Sequence, residues 1–109
     1  MGWSPNHKRI KERYNPIPNT AERAFEAHLR DQPCFGCGGR SHVCHHTRLE
    51  FDGKARRREH RWQMPLCNAC HLDCHKVREA VWLESIGKRP EQAIAYMNVQ
   101  WGLSQRKAA

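Results

Sequence analysis

The stretch Cys67-Asn68-Ala69-Cys70-His71-Leu72-Asp73-Cys74-His75 decides how this chain is read, because it combines a Cys-x-x-Cys pair with two imidazoles four residues apart. Two more ligand-rich stretches lie upstream, Cys34-Phe35-Gly36-Cys37 and Cys44-His45-His46. Together they carry enough thiols for one closed metal site and enough imidazoles for a second, open one. A two-residue spacer lets one knuckle turn place both sulfurs of a pair on the same ion, and two such pairs are the pattern for tetrahedral zinc. Cys34, Cys37, Cys67 and Cys70 are therefore expected to hold a structural Zn2+, whose binding would largely be folding energy. The competing reading is four unrelated buried cysteines. Cys44 and Cys74 are left over and read as small buried hydrophobes, either of which could replace an expected ligand.

His71 and His75 share one face of a predicted helix about a turn apart and can chelate one divalent cation. The His45-His46 pair falls on a predicted strand, where adjacent side chains point to opposite faces if the strand is regular. One imidazole can then complete the metal site while a local bend brings the other toward a substrate. Alternatively these histidines are surface residues or reserve zinc ligands.

Composition narrows the class. A domain of 109 residues buries a modest share of its surface, and a metal staple would reinforce its core. The first fourteen residues are polar and basic without the apolar stretch of a signal peptide. A reducing, cytoplasmic compartment is expected, in which paired cysteines favour metal over disulfide. No apolar run approaches the roughly 18 residues of a membrane span, so no membrane partner is expected. The formal net charge of +8, with a pI near 9.6, points to a polyanion, with DNA the leading candidate and simple solubility the alternative. Basic residues crowd at 8–13, 54–61 and 88–89, flanking the ligand segments.

Pro5, Pro16 and Pro18 prevent a continuous helix over residues 1–19, which read as a basic, extended N-terminal arm. Residues 20–109 read as a single domain. Asn19 or Thr20 can cap a helix to about Arg30 with Ala21, Ala24, Phe25, His28 and Leu29 on one stripe, His28 being a packing residue. The glycines of 32–40 suit a zinc knuckle. Residues 41–49 and 61–66 have strand character and would pair as a hairpin around a charged loop, 50–59. A helix is expected over about 68–86, with Leu72, Val77, Val81 and Trp82 as its apolar positions and Gly87 as its stop. Pro90 opens a last helix through about residue 100, with Ile94, Met97, Val99 and Trp101 available for packing.

The Cys-x-x-Cys knuckle, the His-His strand, Met64-Pro65-Leu66-Cys67 and Cys70-His71-x-x-x-His75, in that order, resemble the HNH endonucleases of the ββα-metal fold. Their zinc-stapled phage and prophage members, similar to recombination-enhancement nucleases, resemble it most. The match covers about 33–76, and more loosely the helical tail. It implies a small α+β fold with a ββα-metal, treble-clef-like core over about 33–86, a structural zinc knuckle and flanking helices. It further implies that His46 is the general base and that His45, His71 and possibly His75 hold one catalytic divalent ion, Mg2+, Mn2+, Ni2+ or Zn2+. The middle Asn of the family pattern has no counterpart: nine residues before His71 stands Trp62. His60, five residues before Pro65, takes that role as metal ligand or as orienter of His46.

The activity so implied is metal-dependent hydrolysis of DNA phosphodiester bonds to 5′-phosphate and 3′-hydroxyl ends, in the host cytoplasm for a phage-encoded protein. Arg48, Lys54, Arg56, Arg57, Arg58 and Arg61 could hold phosphates, contacts that position a duplex without reading its sequence; a solvated loop is the other reading of the arginine run. A noncatalytic zinc-dependent DNA-binding or adaptor module suits the charge and the four cysteines equally well. Against it stands the His-His plus His-x-x-x-His set, for which a pure binding module has no use. A redox role for Cys-x-x-Cys lacks the surrounding thioredoxin-like βαβ pattern. Monomer and homodimer are both open.

Overall fold

In the computed structural model the described residues are 17–55 and 59–109. The arm expected over 1–19 falls outside them up to residue 16, as do Arg56, Arg57 and Arg58. The first helix, α1 (Thr20–Arg30), begins with a reciprocal cap. Asn19 Oδ1 accepts from the Glu22 amide at 2.8 Å while Glu22 Oε1 accepts from the Asn19 amide at 2.9 Å, satisfying two amides that have no partner within the helix. Phe25, His28 and Leu29 form its buried face, the i, i+3, i+4 pattern expected of a helix laid on a core.

Two strands, β1 (Val43–His46) and β4 (Gln63–Leu66), pair antiparallel with Val43 opposite Leu66 and His46 opposite Gln63. All four β4 residues are buried, because α1 covers one side of the pair and the helices that follow β4 cover the other. The loop expected over 50–59 holds a second small hairpin, β2 (Glu50–Phe51) and β3 (Lys54–Ala55). Asp52 (φ 54°) and Gly53 (φ 74°) form its two-residue turn. Left-handed backbone at both central positions is what an Asp-Gly hairpin turn requires.

The single helix expected over 68–86 is two: α2 (Asn68–Lys76) and α3 (Glu79–Ser85). Val77, at φ −132° and ψ 178°, and Arg78, at φ −68° and ψ 145°, are extended and separate them. No Gly or Pro marks this break; it lets Glu79 turn its carboxylate back toward β1. Leu72, Val77 and Val81, expected to be apolar contacts, are 59%, 47% and 46% exposed, and Cys74, Trp82 and Leu83 are the residues that enter the core. Gly87 (φ 77°) does end α3: its amide donates to Glu84 O at 3.0 Å and the Lys88 amide to Leu83 O at 2.8 Å, the paired closure of a Schellman motif.

The last helix, α4 (Pro90–Ala108), runs well past residue 100, because its final turns pack on α1. Trp101 meets Phe25 edge-on at 5.2 Å, and Gln105 Nε2 donates to Ala21 O at 3.0 Å. Its buried stripe is Ala93, Met97 and Ser104, while Val99 is 59% exposed. His28, expected to be a packing residue, links the two helices through hydrogen bonds. Lys107 Nζ donates to its Nδ1 at 3.0 Å, which leaves Nε2 as the donor to Gln100 Oε1 at 2.6 Å. The core between hairpin and helices consists of Cys34, Leu49, Met64, Leu66, Cys74, Trp82, Leu83, Ala93 and Met97. The architecture is α+β, and among the described residues no helix is long and apolar enough to cross a membrane.

Candidate metal centres

The knuckle preceding β1 and the start of α2 bring Cys34, Cys37, Cys67 and Cys70 together, their sulfurs all within 4.8 Å of one another. Cys37 and Cys67 Sγ are 3.8 Å apart; four thiolates about 2.3 Å from a common ion stand about 3.8 Å apart. Backbone amides already point at the sulfurs, from Gly36 and Cys37 to Cys34 Sγ at 3.3 and 3.4 Å and from Cys70 to Cys67 Sγ at 3.4 Å. Burial acts to raise the Cys34 thiol, but hydrogen bonds from the Cys67, Cys37 and Gly36 backbone outweigh it and bring it down to about 7, so the first thiolate of the cluster forms there, while burial pushes Cys70 up. Gly36 is required here by space: a Cβ would lie 2.9 Å from both Cys70 Sγ and Trp82 Cζ2. The four cysteines can hold a structural metal ion.

A second cluster joins β1 to α2. His45, His71 and His75 place one ring nitrogen each within 4.8 Å of the others, with His71 Nε2 and His75 Nε2 3.0 Å apart. Nitrogens bound about 2.0–2.1 Å from one tetrahedral ion are about 3.3 Å apart, so the spacing suits a shared cation. Burial, and then the neighbouring His45, push His71 and His75 below the ordinary imidazole value, keeping them neutral and able to ligate near pH 7.

His45 is fixed by a residue that sequence reasoning missed. Glu79, at the start of α3 and 4% exposed, accepts from His45 Nε2 at 2.9 Å, from Thr47 Oγ1 at 2.6 Å and from the Arg48 amide at 2.7 Å. Burial by itself would raise this carboxyl; the hydrogen bonds from His45, Thr47 and Arg48 outweigh it and hold it below the usual glutamate range. An ionised carboxylate only accepts, so His45 carries its proton on Nε2 and keeps the Nδ1 lone pair for a ligand. Cys74 Sγ lies 3.6 Å from His45 Nε2, fully buried, and burial pushes its thiol up to about 12. It packs as a neutral thiol.

The two histidines of β1 part company. The strand is regular through His46, without the expected bend, so His45 faces α2 and α3 while His46 faces α1. His46 Nε2 lies 3.1 Å from His60 Nδ1, which is 3.6 Å from Glu26 Oε2, and the three form a separate cluster. Of the two places weighed for His60, it stands beside His46 and not among His45, His71 and His75. Burial, then His60, lowers the His46 pKa.

Beside His75 runs an open groove of about 980 Å3 lined by the cations Arg48, Lys76 and Arg78 together with the carboxylates of Glu50 and Glu79. Arg48 Nη1 donates to His75 Nδ1 at 3.0 Å. Arg61, expected to face a phosphate, is instead stacked between Trp62 and Trp101, at 4.1 and 4.5 Å from the ring centres, with Nη2 donating to Asn98 Oδ1 at 2.7 Å. Lys54 lies in β3, and Arg56, Arg57 and Arg58 are outside the described residues. Lys76 and Arg78 were not singled out from sequence because the helix break that turns them into the groove has no local signal. Glu79 and Glu26 had none either, each being one carboxylate on an unremarkable helix.

No curated protein and no solved structure matches the chain. A family model does, over residues 16–103, a span that includes the four cysteines and both histidine clusters; the chain belongs to the family described as protein of unknown function (DUF968).

Proposed function

We propose that this protein is a metal-dependent endonuclease of the HNH type, hydrolysing DNA phosphodiester bonds to 5′-phosphate and 3′-hydroxyl ends, with zinc on Cys34, Cys37, Cys67 and Cys70. The observation that carries the reading is the convergence of His45, His71 and His75 at the edge of a groove lined by Arg48, Lys76 and Arg78. The antiparallel β1–β4 pair followed directly by α2 has the ββα order of that fold and supports it.

His45, His71 and His75 would hold the working divalent ion, which supplies Lewis-acid stabilisation of the phosphoryl oxygens and a lowered pKa for the attacking water. Glu79 keeps the His45 ring in the ligating tautomer. Arg48, Lys76 and Arg78 neutralise and align the phosphates on either side of the scissile one. Were His75 to ligate through Nε2, its ring proton would sit on Nδ1, which now accepts from Arg48 Nη1 at 3.0 Å, and the Arg48 guanidinium would be left free for the groove. His46 has no part in this scheme as general base, because it faces α1 across the strand from the trio.

The test is conversion of supercoiled plasmid to nicked or linear DNA by zinc-loaded protein with Mg2+, Mn2+, Ni2+, Zn2+ or EDTA, for wild type and for His71→Ala with His75→Ala. Metal-dependent cleavage lost in the double variant is the expected result. Salt-sensitive DNA binding without cleavage under any ion would replace this reading with a noncatalytic zinc module.

A further inference from the structure

On the face of β1 opposite the imidazole trio, Glu26 from α1, His46 from β1 and His60 from the segment before β4 converge on one point. We infer that these three residues form a further binding site for a transition-metal dication of the zinc class, separate from the cysteine cluster and from His45, His71 and His75.

Geometry separates this from a hydrogen-bonded relay. A relay through His60 would use both of its ring nitrogens, one toward His46 and one toward the carboxylate. Here a single nitrogen, Nδ1, faces both partners, at 3.1 Å from His46 Nε2 and 3.6 Å from Glu26 Oε2. Among the described residues the other nitrogen, Nε2, is buried without a hydrogen-bond partner. One proton between the two imidazoles satisfies one edge of this triangle and leaves the carboxylate edge long. A cation at the centre satisfies all three donors, and 3.1 and 3.6 Å bracket the edge of about 3.3 Å for nitrogen and oxygen ligands at tetrahedral zinc distances.

The surroundings hold the donors in place. Gln63 Nε2 donates to Glu26 Oε2 at 3.0 Å and to His60 O at 2.6 Å, orienting the carboxylate and the backbone beside the ring together. Ligands are usually oriented by such outer hydrogen bonds. Two imidazoles and one carboxylate select zinc, nickel or cobalt over magnesium or calcium. Three protein donors leave a fourth position for solvent. The ligands come from three segments far apart in sequence, so an ion there would also cross-link α1 to the hairpin.

The experiment counts metal and does not use cleavage, so its failure and that of the nuclease reading are distinguishable. Protein carrying His71→Ala and His75→Ala is saturated with zinc, passed through gel filtration and assayed for bound metal, with circular dichroism to confirm folding. We expect about two zinc ions per chain in this background, falling to about one on addition of either His60→Ala or Glu26→Gln. Co2+ in place of zinc should show tetrahedral visible absorption from nitrogen and oxygen ligands that the same two substitutions remove. Glu26→Gln is the conservative variant, retaining size and helix propensity should His60→Ala fail to fold. One zinc ion in the parent background, unchanged by either substitution, would overturn the proposal.

Discussion

Glu79→Ala removes the one carboxylate that ties α3 to the end of β1. In the native protein it accepts hydrogen bonds from His45 Nε2 (2.9 Å), Thr47 Oγ1 (2.6 Å) and the Arg48 amide (2.7 Å), and His45 and Thr47 are 2% and 0% exposed. Each buried donor left without an acceptor costs about 1–3 kcal/mol. The Thr47 hydroxyl can rotate to another acceptor and the Arg48 amide is only partly buried, so the stranded His45 donor and the lost charge-assisted bonds give about 3–5 kcal/mol. Against a domain stability of roughly 5–15 kcal/mol, that is a fall in melting temperature of about 12 °C or more at this size. Urea unfolding of the metal-loaded protein, followed by tryptophan fluorescence with Trp82 as the buried reporter, measures it. Glu79→Gln keeps one accepting oxygen but presents an amide to a donor, and should lose about 1–3 kcal/mol. The affinity of the imidazole trio for metal should also fall about 10–100-fold in Glu79→Ala, because the His45 ring loses its orienting partner, and less in Glu79→Gln, whose oxygen can still accept from His45. A loss below about 1 kcal/mol in Glu79→Ala would refute the view that this carboxylate satisfies buried donors.

Gly36→Ala puts a methyl group 2.9 Å from Cys70 Sγ and Trp82 Cζ2; overpacking of this kind costs about 1–3 kcal/mol, and thermal unfolding and metal retention by the four cysteines should both report it, whereas an unchanged midpoint would mean that the knuckle can shift. Arg48→Ala and Arg61→Ala should behave oppositely in DNA binding. The first removes a groove cation and should weaken binding and reduce the salt slope by about 1. The second removes a guanidinium held between Trp62 and Trp101 and should lower stability by about 1–2 kcal/mol with little change in affinity. Equal losses of affinity in both would contradict the assignment of the groove.

The thiol chemistry was legible because its signal is local. A Cys-x-x-Cys spacer constrains two sulfurs within one turn, so Cys34 with Cys37 and Cys67 with Cys70 could be paired from the sequence, and the cap at Asn19 and the stop at Gly87 are equally local. Strand pairing was legible from the two apolar runs flanking a charged stretch. The position of His46 was half legible. Alternation says that adjacent strand residues face opposite ways, and the expectation of a bend to bring His45 and His46 toward one site was an added assumption about that pair, whereas β1 simply obeys the alternation. Apart from Trp82, which is buried as expected, the apolar face of α2 and α3 was misread, since a periodic stripe fitted across 68–86 assumes one helix; the break at Val77 and Arg78 rotates the register, exposes Leu72 and Val81, and buries Leu83.

By itself the sequence determined which atoms are available for ligation and which of them must be neighbours: two thiol pairs, one His-x-x-x-His pair and one adjacent His pair, in an α+β order of strands and helices, on a chain with a net charge of +8. Only the tertiary structure decided which of these meet. Glu79 and His45 are 34 positions apart and Glu26 and His60 come from different elements, and such contacts depend on how α1 and α3 dock on the two faces of one short hairpin. Periodicity describes the face that each element offers, but a polar contact between elements depends on the position and rotation of both, and those are fixed only when the shared core closes.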